Sequence, residues 1–262
     1  MLTHRQRQLL LQLQSRHGRR KSPWFIAEGR RACEEALRRR PDWVEIVVCS
    51  ESFAAAGGPA ALLQQAAGAV AAEAVAVVTD RDFAALAATE TPQGVLCALR
   101  RPETGLPATI EDPFVLVLDR VAEPGNLGTI LRTAWAVGLQ SVWLTEGCAD
   151  PYSAKVVRAG MGAQFSLRLV QSGDLAALGR DLAARGRSPL YLTVPQAPLS
   201  CFDAGFDLAG AALVIGNEAS GILALDLGPQ VSIPMPGNAE SLNAAQAATV
   251  LLFDAVRRGL LA

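Results

Sequence analysis

Short apolar, β-branched runs alternate along this chain with stretches whose apolar positions recur every three or four residues. The first part reads as helix 3–14, strand 23–28, helix 30–39, strand 43–49, helix 58–71 and strand 74–79. Helix 80–88, with Asp80 as its N-cap, leads to strand 94–100. The stretch RRPETGLPATIEDP, Arg100 to Pro113, has three prolines and no periodicity, and reads as a linker. Beyond it come strand 114–119, helix 126–137, strand 141–145, helix 152–162, strand 166–170, helix 172–185 and strand 189–194. After an irregular stretch follow strand 211–215, a short helix 220–226, strand 230–233 and helix 241–258. Near-continuous apolar strands between helices predict a parallel sheet covered on both faces. The pattern therefore gives two α/β domains, 1–100 and 113–262, joined by a linker over 101–112.

Charge refines this picture. The net charge of the 262 residues is −1, but residues 1–40 hold eleven Arg or Lys against three Glu. A basic arm on an acidic body points to a polyanion partner such as nucleic acid, beside the plainer reading of a solvated arginine-rich helix. The five cysteines are scattered with no metal-ligand spacing, Cys49 and Cys97 lie in apolar runs, and the usage is that of a reducing compartment. Both histidines, His4 and His17, lie in the basic arm, so histidine triads and histidine-rich metal sites are excluded from the body. No apolar run reaches membrane-spanning length. The N-terminus lacks a secretory apolar core and runs straight into a foldable segment, so a cytoplasmic protein without membrane contact is expected.

In a parallel sheet, ligands sit at the carboxyl ends of the strands. Three strand-end loops concentrate the second domain's Asn, Glu and Gly: Asp119 to Ala134, Gly216 to Ile222, and Pro234 to Gln246. Each has a plain alternative. Asn126 and Ser241 suit helix N-caps, Asn243 with Gln246 suits a capping pattern, Gly216 and Gly221 suit turns, and Arg132 suits a snorkelling helix residue. Three such loops at one edge of one sheet favour a ligand site. The turn after strand 114–119, DRVAEPGNLG, lacks the glycine fingerprint of a dinucleotide site, and no phosphate-binding GxxxxGK[ST] occurs.

In order and spacing, these loops resemble the three motifs of the SpoU (TrmH-type) RNA ribose 2′-O-methyltransferases of the SPOUT class. The first is Asn126-x-Gly128-Thr129-Ile130-x-Arg132-Thr133-Ala134, the second Leu213 to Glu218 closed by Gly221, and the third Ile233-Pro234-Met235 with Ser241-Leu242-Asn243. Lys155 to Ala163 is similar to the family's intervening segment, so the likeness spans 114–258. Phe25 to Leu37 and Thr89 to Leu99 resemble a ribosomal-protein-like, RNA-binding substrate domain that precedes many such enzymes. Ala219 and Gly160 depart from the family's common glycine and serine.

The resemblance implies a C-terminal trefoil knot and a homodimer whose active site draws on both subunits. It implies methyl transfer from S-adenosylmethionine to a ribose 2′-hydroxyl, of ribosomal RNA first and transfer RNA second, with no metal. By motif, Gly216, Asn217, Ile233, Met235 and Leu242 are the cofactor-contacting positions. Arg132 matches the family's catalytic arginine. Because a guanidinium stays protonated, binding a phosphate and lowering the 2′-hydroxyl pKa suits it better than proton abstraction. Asn126 and Glu218 would orient Arg132 and the ribose, while Ser241 and Asn243 would shape the pocket. Arg16, Arg19, Arg20 and Lys21 of the basic arm would contact RNA phosphates. The alternatives are a non-catalytic RNA-binding protein that keeps the fold and a nicotinamide-dependent oxidoreductase, the latter weakened by the missing glycine fingerprint.

Overall fold

A computed structural model describes residues 2–65, 74–103 and 105–261. The chain forms two compact units, Met1–Glu103 with Tyr152–Phe165, and Thr104–Pro151 with Ser166–Ala262. The expected boundary therefore needs amending, since Tyr152–Phe165 belongs with the first unit. The reason is aromatic packing: Phe25 meets Tyr152 at 4.9 Å and Phe165 at 6.3 Å between ring centroids.

The first unit runs α1 (His4–Leu13), α2 (Arg16–Arg20), β1 (Trp24–Glu28), α3 (Arg30–Arg39), β2 (Val44–Ser50), α4 (Glu51–Ala55), α5 (Gly58–Gln65), β3 (Val75–Val78), α6 (Asp80–Leu86) and β4 (Val95–Arg100). Its sheet order is β1-β4-β2-β3. β4 runs antiparallel to both β1 and β2, while β2 and β3 are parallel. Leu10 and Leu13 of α1 and Phe83 and Leu86 of α6 close one core with Ile26, Ile46, Val48 and Leu96 of the sheet. Thr3 and Gln6 form a capping box at the start of α1. The N-cap of α6 is Thr79 rather than Asp80, which instead accepts the Ser52 hydroxyl at 2.6 Å. Residues 66–71 of the helix expected over 58–71 lie outside the described residues.

The second unit carries β5 (Val115–Leu118), α7 (Pro124–Ala136), β6 (Ser141–Leu144), β7 (Arg168–Gln171), α9 (Leu175–Ala184), β8 (Leu190–Thr193), β9 (Leu199–Ser200), β10 (Ala212–Ile215), β11 (Gln230–Ser232) and α10 (Ala244–Arg257). α8 (Ala154–Ala159), shorter than the expected helix 152–162, belongs to the first unit and ends where Met161 and Gly162 adopt positive φ. The seven strands are ordered β7-β6-β5-β10-β8-β11-β9, and every neighbouring pair is parallel. Val115, Val117, Trp143, Leu192 and Val214 are buried in its core with Leu178 and Leu182 of α9. The expected linker is anchored in its second half. Asp112 accepts the Gln140 and Ser141 amides and the Ser141 hydroxyl, and Arg185 and Arg187 donate to the Pro107, Ile110 and Pro113 carbonyls.

The helix expected over 220–226 is absent. Asn217 Oδ1 accepts the Ala219 and Ser220 amides, folding the segment into a turn closed by an Asn217–Gly221 bridge, and only Leu225–Leu227 makes a 3-10 turn. β9, two residues long, carries too little pattern to be read.

At the other end of α10, buried Asp254 accepts Arg257 at 2.7 Å and Arg258 at 2.6 Å. Arg258 also donates to the Cys201 and Phe206 carbonyls and lies 5.6 Å from the Phe206 ring centroid. These charge-assisted bonds fix the helix at its C-terminal turn. Arg258→Met is expected to cost about 2 kcal/mol of stability. A urea titration of the wild-type and substituted chains, followed by circular dichroism, measures it.

Candidate functional site

The carboxyl edge of β5, β8, β10 and β11 is built from the loops that leave these strands. Pro124 sits in the first turn of α7 and Glu123 is its N-cap, accepting the Gly125 amide. Asn126 is thus inside the helix and is not its cap. The residue that caps α10 is Asn243, whose Oδ1 accepts the Ala245 and Gln246 amides. Ser241 and Leu242 precede the helix in irregular backbone.

One line of hydrogen bonds joins the three loops. Asn243 Nδ2 donates to Asn126 Oδ1 at 2.9 Å, and Asn126 Nδ2 donates to Glu218 Oε1 at 2.9 Å. Glu218 also accepts the Ala122 amide at 3.2 Å and the Glu123 amide at 3.3 Å. The polarity is forced from both ends. An ionised carboxylate only accepts, and the amides at the start of α10 only donate, so both Asn side chains have one satisfactory orientation. Partial burial alone raises the Glu218 pKa. The hydrogen bonds from Asn126 and from the Glu218, Ala122 and Glu123 amides outweigh it and hold the carboxyl below its ordinary value.

Beside this line lies a cavity of about 210 Å³. All five residues expected to hold a cofactor line it, namely Gly216, Asn217, Ile233, Met235 and Leu242, together with Glu218 and Ser241. Its apolar walls include Ile215, Val231 and Leu251, and small residues (Ala219, Gly221, Ala244, Ala247) leave room between them. Among the described residues, no Arg, Lys or His lines it. The plainer reading of Gly216, a turn glycine, holds beside its place in the cavity wall. A Cβ there would meet the Ile222 side chain at 2.7 Å and the Gly221 backbone at 2.9 Å, so the glycine is required by its own turn. Thr193, Val194 and Pro195 at the end of β8 also line the cavity, and sequence reasoning missed them. The strand-end rule alone could have found them, since their loop lacks the Asn and Gly that marked the others.

Arg132 lies outside this group. It is exposed on α7, does not line the cavity, and has no hydrogen-bonding or ion-pair partner among the described residues. It shares an exposed stripe with Thr129 and Ala136, and Thr133 on the same helix comes within 3.4 Å of Thr249 on α10.

In the first unit, Arg16, Arg20 and Lys21 are exposed at and after α2. Arg19 must be withdrawn from this set: it is buried, and its guanidinium donates to the Leu13 and Gln14 carbonyls at the end of α1. Part of the arm's charge is also neutralised locally, by Arg7 with Asp82, Arg30 with Glu34, and Arg38 and Arg39 with Glu35.

Residues 113–253 match the SpoU rRNA Methylase family, and residues 7–97 match the MRM3-like substrate binding domain. The chain is 31% identical over 253 residues to the 23S rRNA (guanosine(2553)-2′-O)-methyltransferase RlmP of Bacillus subtilis, covering 92% of each chain. Among solved structures, the AdoMet-bound rRNA methyltransferase from Sinorhizobium meliloti superposes with a TM-score of 0.80 at 27% identity, covering 100% of this chain and 97% of that one. The SpoU methyltransferase AviRb from Streptomyces viridochromogenes in complex with AdoMet gives 0.79 at 29%, covering 98% and 99%. The chain belongs to the SpoU rRNA methylase family, with an N-terminal substrate-binding-type domain.

Glu218→Gln tests the hydrogen-bonded line. With Oε1 still accepting from Asn126, the new amide must face the Ala122 N–H, donor against donor. A loss of about 1 kcal/mol at neutral pH is expected. Because the folded-state pKa of Glu218 is depressed, its contribution is complete above the unfolded value near 4.5 and disappears as pH falls through the lower folded value. Thermal melts of the two proteins should therefore differ at pH 7 and converge once the pH has fallen through the depressed folded value.

Proposed function

We propose that this chain transfers a methyl group from S-adenosylmethionine to a ribose 2′-hydroxyl of ribosomal RNA. The observation that carries the reading is the chemistry of the cavity. Among the described residues its walls are apolar and without a basic side chain, and Glu218 is the only charged residue lining it. A phosphorylated nucleotide would ask for cations or free helix-start amides there, and at the start of α10 the Ala245 and Gln246 amides are already taken by Asn243. A phosphate-free nucleoside carrying a sulfonium asks for apolar walls, close backbone and a carboxylate nearby, and these residues fit it.

Gly216, Asn217, Ile233, Met235 and Leu242 would hold the cofactor, with Thr193 to Pro195 closing the far wall. When bound, it supplies an activated methyl on positively charged sulfur. The protein's task is then to orient the ribose and make its hydroxyl nucleophilic. Asn126 and Asn243 keep the carboxylate of Glu218 fixed at the cavity edge, and Ser241 presents a hydroxyl to the entering sugar. Arg132 binds the neighbouring phosphate and stabilises the developing alkoxide as the hydroxyl gives its proton up to solvent water.

A single copy leaves Arg132 outside the cavity, which supports a homodimer in which α7 of one subunit serves the pocket of the other. Phe253 and Val256 on α10 are 53% and 36% exposed beside α7, an apolar face suited to a second copy. The chain from Gly216 through α10 is assigned to a trefoil knot. In support, β10 lies between the earlier strands β5 and β8, and α10 then packs on α7. Residues 1–100 are assigned to RNA substrate binding, 101–112 to the connection, and 113–262 to methyl transfer, with 152–165 contributing to the first unit. Five free cysteines suit a reducing, cytoplasmic setting.

Arg132→Ala should leave S-adenosylmethionine binding by calorimetry unchanged and lower tritiated-methyl incorporation into ribosomal RNA by roughly 100- to 1,000-fold. Incorporation at the wild-type rate would remove Arg132 from catalysis.

Replacing Arg16, Arg20 and Lys21 together by Glu should weaken RNA binding and flatten its dependence on salt, with each lost phosphate contact lowering the log–log slope by about 0.7 to 0.9. Gel-shift titrations at several salt concentrations measure this, and cofactor affinity should not move.

A further inference from the structure

The turn Gly216 to Gly221 supplies five of the residues around the cavity, yet it is exposed at Glu218, Ala219 and Ser220 and has no helix to hold it. Beside the bonds that Glu218 accepts from Asn126, Ala122 and Glu123, its support comes from Arg120, just beyond β5. Arg120 has φ +55°, one of two non-glycine residues with positive φ among the described residues. L side chains seldom take this conformation, so the surroundings must impose it. Its amide donates to the Thr145 hydroxyl at 3.0 Å, and its carbonyl accepts Asn217 Nδ2 at 2.7 Å. The bend sends the side chain across to the same turn. Nη1 donates to the Ser220 hydroxyl at 3.2 Å and Nη2 to the Gly221 carbonyl at 2.8 Å.

The guanidinium is aimed by two further features. Asp119, only 4% exposed, accepts Arg120 Nε at 3.2 Å and is itself fixed by the Thr145 hydroxyl at 2.9 Å. The stem passes over Gly147, where a Cβ would lie 3.0 Å from Arg120 Cγ. The Ser220 hydroxyl in turn donates to Asn217 Oδ1 at 3.1 Å. Backbone and side chain of Arg120 thus grip the turn at its start, at Ser220 and at its closing glycine.

We propose that Arg120 is a positioning residue for the cofactor, a clamp that holds the Gly216–Gly221 turn in its binding shape and thereby sets affinity for S-adenosylmethionine. This rests on the reading of the cavity as the cofactor site. The clamp acts on the loop that walls the cavity and touches neither the Asn126–Asn243 pair nor the exposed basic residues of the first unit. Its loss should therefore act on cofactor and leave RNA affinity alone.

Two variants separate the contributions. Arg120→Gly suits the left-handed backbone and removes the guanidinium. Ser220→Ala keeps the backbone and removes one recipient of the clamp together with its bond to Asn217 Oδ1. Calorimetric titration with S-adenosylmethionine should show affinity about tenfold weaker for Arg120→Gly and about two- to threefold weaker for Ser220→Ala. The double variant should be no weaker than Arg120→Gly alone. In steady-state assays, KM for the cofactor should rise while KM for RNA stays at the wild-type value. Arg120→Lys, which keeps the charge but cannot span both acceptors, should recover only part of the affinity. Cofactor affinity in Arg120→Gly within twofold of wild type would overturn the proposal, as would a parallel rise in both KM values. If the wild-type chain itself takes up no S-adenosylmethionine, the cofactor reading fails and the clamp falls with it.

Discussion

The site depends on a direction of hydrogen bonding. Donors run from the start of α10 through Asn243 and Asn126 to a carboxylate that can only accept. Three loops far apart in sequence are registered by this line, because reversing any amide would place donor against donor. Such a line is valuable where it stands. Asn126, Asn243 and Glu218 lie at a partly exposed strand edge, where apolar packing supplies little and loops are otherwise free to drift. The core below fixes where the strands end, and the polar line fixes what their ends do.

This arrangement dissolves a distinction that sequence reading draws between capping residues and functional ones. Asn243 caps the helix and joins the loops at once: its oxygen starts α10 and its amide group continues the line to Asn126. Glu123 caps α7 and so frees Asn126, one turn further in, to face Glu218. Had Asn126 been the cap, its oxygen would have been spent on α7 amides and the link to Asn243 lost. The placement of Pro124 and Glu123 ahead of Asn126 is thus part of how the site is written into the chain.

The strands of the second unit were legible because each is an unbroken apolar run, and a parallel sheet follows from such runs between helices. The cavity-lining positions of three loops were legible because they follow strand ends in a recognisable order. What was hidden had weaker local signals. The turn at Asn217 scans as helix, since nothing local announces that its side chain will take two backbone amides or that Arg120 will reach it from about a hundred residues away. Arg19 scans as a phosphate ligand, since adjacent arginines look alike until one folds back on α1. Asp80 scans as a cap beside Thr79, which is the cap. Each miss falls where one side chain chooses between partners, and only tertiary structure makes that choice.

The remaining asymmetry lies between the carboxylate and the cation. Glu218 is held by three donors and sits at the cavity, while Arg132 stands exposed with no partner among the described residues. An Arg132 bonded to Glu218 within one chain would be neutralised before RNA arrived, and its guanidinium would have to break that pair to reach a phosphate. Satisfying Glu218 with amides instead keeps the carboxylate quiet and leaves the cation available. An exposed guanidinium is well hydrated and stands ready for an incoming anion. This division is consistent with a site completed from outside the chain, by a second copy that brings the arginine to the cavity and by an RNA backbone that brings it a charge.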